Sequence, residues 1–304
     1  MNFPKQATTI SEEITLWKKR GLIICDEATA LHYLRFIGYY RLSAYALFYQ
    51  DAKAQNDANG LDKPFVAGTT FDDILALYVF DRELRLLVID AIERIEVAFR
   101  SCLVNSMCCK YGPHWFMDAA LFYPEPHFYH HDFIRKIKKE LSISEKSAKP
   151  SGDHNETFIN HYYRKYGEPY LPPAWMVAEI MPLGVWSRAF ANLKYGPDRK
   201  TVASNFLVDE SVLKSWLHCI TYVRNICAHH ARLWNRRFVI KVARKHPNDT
   251  NLDTYFYTAY LIIRDLIEKV APNTAWAPKF AVWLKQHPKV PIEKMGFPAG
   301  WNLI

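Results

Sequence analysis

The chain has 304 residues, and half of them are apolar or aromatic, which is enough for one large domain or two small ones with a buried core. Its first residues lack the apolar segment of a secretory signal, and no apolar run approaches the ~20 residues of a membrane helix. The six cysteines are scattered, so we expect a cytoplasmic protein without membrane contacts or a disulfide framework. Lysine and arginine total 39 against 31 aspartate and glutamate, a formal charge of +8, and 15% of the residues are aromatic. This composition favours a polyanion such as RNA as the partner but does not establish one.

Two capped helices and a tyrosine-rich stretch open the chain. Thr9 and Glu12 have the spacing of a capping box, and Asp26 is placed to cap a second helix. Residues 38–50, GYYRLSAYALFYQ, mix tyrosines with apolar residues over about three helical turns. Residues 51–70 are mostly small and polar and include glycine and proline, which predicts a surface loop.

The rest of the chain predicts a helical bundle. Residues 70–112 contain no proline, begin with acidic residues and end at a glycine, which indicates one long helix or two with a kink. Residues 142–157 are polar and predict a loop. Further helical patterns occupy residues 158–166, 174–181, 185–193, 199–206, 210–244, 253–270 and 278–286. No series of strands is evident, so the expected fold class is all-α.

The predicted organisation has three parts. Residues 1–70 would be a helical elaboration packed on the core, residues 71–270 the core bundle, and residues 271–304 a C-terminal helix and tail. We find no internal repeat and no linker that would divide the chain more sharply.

The 210–244 helix carries the densest functional chemistry. Asp209 or Ser211 can cap its start, and Pro247 lies beyond its end. Within it, residues 222–238 read YVRNICAHHARLWNRRF and combine apolar positions at helical spacing with many arginines and two histidines.

An ideal helix separates the two histidines. One polar face would carry Asn225, His229, Arg232 and Arg236. Arg224 would lie about 140° from His229, at the edge of that face. His230 would fall within the apolar stripe, so we expect a buried, hydrogen-bonded structural histidine there, with a catalytic role left open.

Arginine, asparagine and histidine together suit RNA cleavage. Histidine exchanges a proton near neutral pH, arginine holds a phosphate and stabilises the charge of a pentacovalent intermediate, and asparagine orients either partner. A solvated polar face is the ordinary alternative for such a helix.

Several motifs carry a resemblance to a known family. The spacing R-x4-H from Arg224 to His229 resembles the signature of the HEPN ribonuclease superfamily, and RNICAHHARLWNR is similar to the abortive-infection AbiD/AbiF-type (Abi-like) branch. The segments GYYRLSAY, FDRELR, IERIEVAFR and PPAWMVAEIMPLGVWSRAFANL resemble this family in the expected order, over roughly residues 10–270. Residues 181–184, MPLG, depart from a Ser-Phe-Gly-type turn in relatives, which affects a structural position.

The resemblance implies a fold, an activity and partners. It implies a HEPN-type helical bundle that forms a homodimer, with two R-x4-H motifs sharing one RNA-cleaving cleft and no cofactor or metal. Cleavage would leave a 2′,3′-cyclic phosphate and a 5′-hydroxyl, in phage defence or as the toxin of a toxin–antitoxin pair with a small non-coding RNA as antitoxin. It assigns phosphate binding to Arg224, acid–base chemistry to His229 and orientation to Asn225.

Other residues are candidates for support and for RNA binding. Glu93, Glu96 and Arg100 share a helical face and would either order an arginine of the cleft or form an interhelical ion-pair network. Candidates for RNA binding are Arg232, Arg236, Arg237 and Lys241, as a basic track along the 210–244 helix, and Tyr39, Tyr40 and Arg41, as a stacking clamp whose alternative is core packing.

Two other functions remain open at this stage. A non-catalytic RNA-binding module that is regulated by, or sequesters, a structured RNA would also explain the charge. A metal-dependent nuclease is less favoured, because Cys227, His229 and His230 diverge on a helix, and His127, His130 and His131 lack a matching cysteine or carboxylate pair.

Overall fold

The computed structural model describes residues 6–51, 63–144, 150–152, 154–166, 168–245 and 254–301. Over these ranges the chain is built from α-helices and short 3₁₀ turns, with isolated β-bridges but no strand, which confirms the all-α class. None of the described helices is both long and apolar enough to cross a membrane. The predicted loops at 51–70 and 142–157 lie partly outside the described residues.

The α-helices have the following bounds: α1 Ile10–Lys19, α2 Glu27–Ile37, α3 Tyr39–Ala46, α4 Phe71–Tyr111, α5 His130–Glu140, α6 Thr157–Lys165, α7 Ala174–Ile180, α8 Leu183–Ala191, α9 Gly196–Ser204, α10 Glu210–Ala228, α11 Phe256–Val270 and α12 Trp276–Lys285. By its internal contacts the chain forms two compact units, Met1–Leu86 and Leu87–Ile304. The predicted boundaries at residues 70 and 270 stay predictions.

The first helices begin where the sequence predicts. The Thr9 side chain accepts a hydrogen bond from the Glu12 backbone N–H, and the Glu12 carboxylate accepts one from the Thr9 N–H at 2.7 Å. Asp26 accepts backbone N–H bonds at the start of α2 from Ala28 (3.0 Å) and Thr29 (3.2 Å). These bonds satisfy donors that a helix cannot pair internally, which confirms the predicted starts.

The structure decides one open prediction and adds one helix that the sequence did not indicate. The long pattern at residues 70–112 is one helix, α4, of 41 residues, which settles the choice between one helix and two. Helix α5 is missing from the prediction, because Tyr129 at its N-cap position gives no side-chain hydrogen bond and its first turn is histidine-rich. Its basic residues lie on one side and Phe133 and Ile137 are buried on the other, as in an amphipathic surface helix.

A buried polar cluster lies in the first unit. The Tyr45 hydroxyl donates a 2.6 Å hydrogen bond to the Asp81 carboxylate, and Arg85 forms an ion pair with Asp81 one helical turn away. Burial raises the pKa of the Tyr45 hydroxyl, and the neighbouring carboxylate raises it further. Asp81 is fully buried, so its charge depends on these partners. The cluster gives a physical role to the GYYRLSAY and FDRELR motifs, which meet here.

The second unit is organised around α10. This helix packs against α8, α9 and α11, and nine of its residues are buried. Burial raises the pKa of the Cys219 thiol on its inner face to about 12. Between α4 and α8, the rings of Phe99 and Phe190 pack edge to face at 5.7 Å. The unit therefore holds α10 by its apolar stripe and leaves its polar side outward.

Removing the buried carboxylate of the first unit should cost stability. We predict that Asp81→Asn lowers the free energy of unfolding by about 3–5 kcal/mol, because the substitution removes the buried carboxylate that pairs with the buried Arg85 guanidinium. The matched control is Asp90→Asn on the same helix, where the exposed Asp90 pairs with Arg94 at 2.9 Å with the same i, i+4 spacing, and the loss should stay below about 0.5 kcal/mol. Urea unfolding measures both, and equal losses would contradict the prediction.

Candidate functional site

Helix α10 ends at the histidines rather than at residue 244, so the predicted end is wrong. His229 is the C-cap residue, and His230 has a φ of 55°, in the left-handed region. The His230 N–H donates to the Cys227 carbonyl (3.0 Å), and the Ala231 N–H donates to the Ile226 carbonyl (2.9 Å). This pair of bonds is a Schellman motif, which closes a helix and satisfies its last carbonyls. Because glycine usually holds the left-handed position, a histidine here is no recognisable stop signal in the sequence.

The position of His230 differs from the expectation. Its side chain is exposed and does not lie in the apolar stripe, because the left-handed conformation of His230 takes it out of the helical pattern. His229 and Asn225 are also exposed, one helical turn apart on the last turn of α10. The structure therefore brings these three side chains to the open end of one helix.

The predicted helical path of the basic track is wrong as well, because the chain after α10 is not helical. The RNA-binding role of its cations stays a prediction. We call residues 231–245 the return segment, since they run back beside α10 toward its start. The rings of Phe238 and Tyr222 pack at 5.4 Å, and the Trp216 indole N–H donates to the Ala243 carbonyl at 3.0 Å. Its cations thus follow the flank of α10 instead of extending it. They are Arg232 and Arg236, which are half-buried, and Arg237 and Lys241, which are exposed.

A buried carboxylate from α4 lies beside the arginine of the motif. Glu96 is 8% exposed, and its Oε2 lies 3.8 Å from the Nε of Arg224. Its other oxygen forms an ion pair with Arg100 on the same helix. Two guanidinium groups share one carboxylate, so the trio keeps a net positive charge. Glu96 therefore pairs with Arg100 on its own helix and with Arg224 on α10, which forms the interhelical ion-pair network. A role of this network in a cleft stays a prediction.

Glu93 stands apart from this network. It lies on the same helix but is exposed, and among the described ion pairs and hydrogen bonds none joins it to Arg224 or Arg100. The i, i+3 spacing predicts that Glu93 and Glu96 share one face of α4. In the structure only Glu96 is buried and lies next to α10.

A cavity of about 320 Å³ opens beside Arg224 and Asn225, between the start of α5, the first half of α8, and α10. Lys136 and Arg188 line it, and both are exposed. Sequence reasoning missed this cavity, because α5 was not predicted and no local pattern links it to α10. The only available signal was the basic run of HHDFIRKIKKE.

The cavity depends on a close approach of α8 and α10. A Cβ at Gly184 would lie 3.0 Å from Cγ2 of Thr221, so glycine lets the two helices pack at this distance. Pro182 is the N-cap residue of α8 and Met181 the C-cap residue of α7, so MPLG forms the turn between them. The departure from the family pattern thus falls on a structural turn that ends at the wall of the cavity.

The aromatic candidates lie in the first unit and behave differently from one another. Tyr39 packs on the buried Trp17 with ring centroids 4.9 Å apart, as a core residue does. Tyr40 is 92% exposed, and Arg41 is exposed as well. Their predicted contact with RNA stays a prediction.

The histidines and cysteines do not converge. No group of three or more histidine, cysteine, aspartate or glutamate side chains is placed to hold a metal within the part of the chain that the structure describes. His130 instead bonds through Nε2 to the Phe116 carbonyl at 2.9 Å, which anchors the first turn of α5.

Comparison with known proteins identifies one relationship. A family model described as Abi-like protein matches residues 32–235, which is more than half of the chain and includes Arg224, Asn225, His229 and the cavity. No curated protein and no solved structure matches the chain.

The left-handed residue at the helix end gives a test of the backbone there. We predict that His230→Gly is more stable than His230→Ala by about 1 kcal/mol, because only glycine adopts a positive φ without a steric penalty and both variants remove the imidazole. Ala228→Gly, two residues earlier at the last helical position of α10, should show the opposite sign. Thermal and urea unfolding measure the differences, and a stability that is the same for both His230 variants would contradict the Schellman geometry.

The contact between α8 and α10 gives a second test. Gly184→Ala gains helix propensity but places its methyl group against Thr221 Cγ2. We predict that the substitution is more favourable by about 1 kcal/mol when Thr221→Ser has removed that carbon. A double-mutant cycle in urea measures this coupling energy, and a value near zero would show that the helices separate freely.

Proposed function

The chain belongs to the Abi-like protein family, and from this premise we propose that it is a metal-independent endoribonuclease that acts in phage defence. The family name itself points to abortive infection, in which an infected cell shuts down before the phage is released. The proposed architecture is a HEPN-type bundle with the R-x4-H motif at its site. The chemistry is carried by Arg224, Asn225 and His229.

The observation that supports this proposal is the arrangement at the end of α10. His229 and Asn225 are exposed within one turn, whereas Arg224 is partly covered and lies 3.8 Å from the buried Glu96. A guanidinium held by a carboxylate has fewer conformations to lose on binding a phosphate. An exposed imidazole next to it can reach a substrate without a change in the helix.

The proposed reaction is an attack of RNA on itself. A ring nitrogen of His229 takes the proton of a ribose 2′-hydroxyl, and the 2′-oxygen forms a bond to the adjacent phosphorus. Arg224 offsets the negative charge of the pentacovalent intermediate. The bond from phosphorus to the 5′-oxygen then breaks, and that oxygen receives a proton. The products are a 2′,3′-cyclic phosphate and a 5′-hydroxyl, and no water is consumed.

Two proton transfers favour a second copy of the chain. One helix end offers one His229, which can act as the base, while the 5′-oxygen needs an acid on the opposite side of the phosphate. In a homodimer with a composite cleft, His229 of the partner subunit would supply that proton. The open end of α10 in a single chain is compatible with such a partner. A small non-coding RNA is the proposed restraint on the activity.

The alternative is a non-catalytic RNA-binding module. The pairing of Arg224 with Glu96 is compatible with this alternative, since arginines also form ion pairs in purely structural networks. The two functions differ in whether the RNA is cut and in whether His229 matters.

Cleavage in the presence of a chelator is the decisive measurement. We predict that the purified protein cuts single-stranded RNA with EDTA present, and that His229→Ala and Arg224→Ala each lower the rate by at least about 100-fold, the size of an acid–base contribution. His218→Ala is the matched control, because His218 is exposed on the same helix and lies outside the motif. It should leave the rate unchanged.

The ends of the products and the growth of cells complete this test. Cyclic phosphate ends on the fragments, and toxicity that His229→Ala abolishes, are expected. Undiminished cleavage by His229→Ala would overturn the mechanism, and loss of cleavage in EDTA would favour a metal-dependent nuclease. Tight RNA binding without any cleavage would favour the non-catalytic module.

A further inference from the structure

The cavity beside Arg224 carries an excess of positive charge. Lys136 on α5 and Arg188 on α8 line it from two sides, and Arg224 lines it from the third. Neither Lys136 nor Arg188 forms a side-chain ion pair or hydrogen bond in the described part of the chain. Their charges are thus available to a ligand.

The carboxylate in the cavity does not cancel this charge. Asp132 lies 2.5 Å from a guanidinium nitrogen of Arg135 and 3.4 Å from Nε2 of His131. Because Arg135 already neutralises Asp132, the lining keeps the charges of Lys136 and Arg188, together with Arg224, which shares Glu96 with Arg100. A ligand that bears one or more phosphates matches this balance.

Two further groups suit the rest of a nucleotide. Tyr129 lines the cavity and is 38% exposed, so it offers a ring on which a base can stack. Residue Thr221 is also in the lining, and its Oγ1 is buried with no hydrogen-bond partner among the described residues. A buried hydroxyl without a partner is costly, and a ligand that bonds to it would remove that cost.

The size of the cavity limits what it can hold. Its volume of about 320 Å³ is at the lower end of the ~300–1,000 Å³ of small-ligand sites. That volume suits a single nucleotide. A base in a duplex has both faces covered by its neighbours, so stacking on Tyr129 requires an unpaired base.

From these observations we infer that the cavity between α5, α8 and α10 binds one unpaired nucleotide of the RNA strand, next to the phosphate held by Arg224. Lys136 and Arg188 bind the flanking phosphates, and Tyr129 stacks on the base. The inference rests on the proposed function, since it makes this cavity the substrate subsite of the same active site. It also moves the RNA path from the return segment to α5 and α8.

Binding measured apart from cleavage tests this inference. Fluorescence anisotropy with a labelled single-stranded RNA of mixed sequence, in full-length His229→Ala protein, gives the Kd while the RNA stays intact. We expect Lys136→Gln and Arg188→Gln each to raise the Kd about tenfold near 0.1 M salt and to lower the salt slope by about 0.7. Tyr129→Ala should raise the Kd about tenfold without changing that slope.

Matched variants separate a built subsite from a general positive field. Lys139→Gln removes an exposed lysine from α5 outside the cavity, and Arg237→Gln and Lys241→Gln remove exposed cations of the return segment. These three should change the Kd less than about twofold. Equal losses for Lys139→Gln and Lys136→Gln would overturn the inference, as would losses confined to Arg237→Gln and Lys241→Gln. Equal affinity for a duplex of the same sequence would also overturn it.

Crosslinking locates the base directly. RNA that contains 4-thiouridine should crosslink on irradiation to a peptide that includes Tyr129, and crosslinks found only in the return segment would contradict the subsite. The cleavage assay decides the proposed function separately. Cleavage that depends on His229, together with binding that ignores Lys136 and Arg188, would refute the subsite and keep the nuclease. Binding at the cavity without cleavage would refute the nuclease and keep the nucleotide site.

Discussion

The two hydrogen bonds that close α10 decide where the candidate site residues Arg224, Asn225 and His229 lie. The His230 and Ala231 N–H groups bond back to Cys227 and Ile226, and the helix ends at that point. Without this closure, the arginines after the motif would continue along the helix. With it, His229 lies at the open end and the chain turns back along the flank of α10. The side chains gathered at the helix end therefore depend on a left-handed residue that is not glycine.

Charge is distributed unequally around this end. On one side Glu96 pairs with both Arg100 and Arg224, so the arginine of the motif lies beside a buried carboxylate. On the other side, Lys136 and Arg188 line the cavity and form no side-chain ion pair among the described residues. In the proposed function these two sets would serve different purposes, namely orientation at a reacting phosphate and attraction of a polyanion. The two sets meet at Arg224, which belongs to both.

The sequence predicted features that depend on local chemistry. The capped starts of α1 and α2 follow from local side-chain bonds, and the helical run of α4 follows from its lack of proline, although the choice between one helix and two stayed open. Helix α10 begins at Glu210 as predicted, but Asp209 at its N-cap position gives no side-chain hydrogen bond. It failed where the decisive group is distant or atypical. Helix α5 lacks a capping side chain, and the end of α10 lacks a glycine. The choice of Glu96 over Glu93 depends on which side of α4 faces α10, and the cavity depends on three separate segments. Helical periodicity describes one element at a time and does not contain these relations.

In the proposed function, the exposure of His229 and Asn225 affects how activity depends on the concentration of the protein. If a single chain leaves its reactive end uncovered and a complete cleft needs two copies, the amount of active enzyme rises more steeply than the amount of protein at low concentration. A few copies per cell would then be tolerated, and a modest increase in synthesis or release from a restraining RNA would produce an abrupt onset of damage. Activity would then begin at a threshold concentration of the protein, and the association constant of the chain with itself would set that concentration.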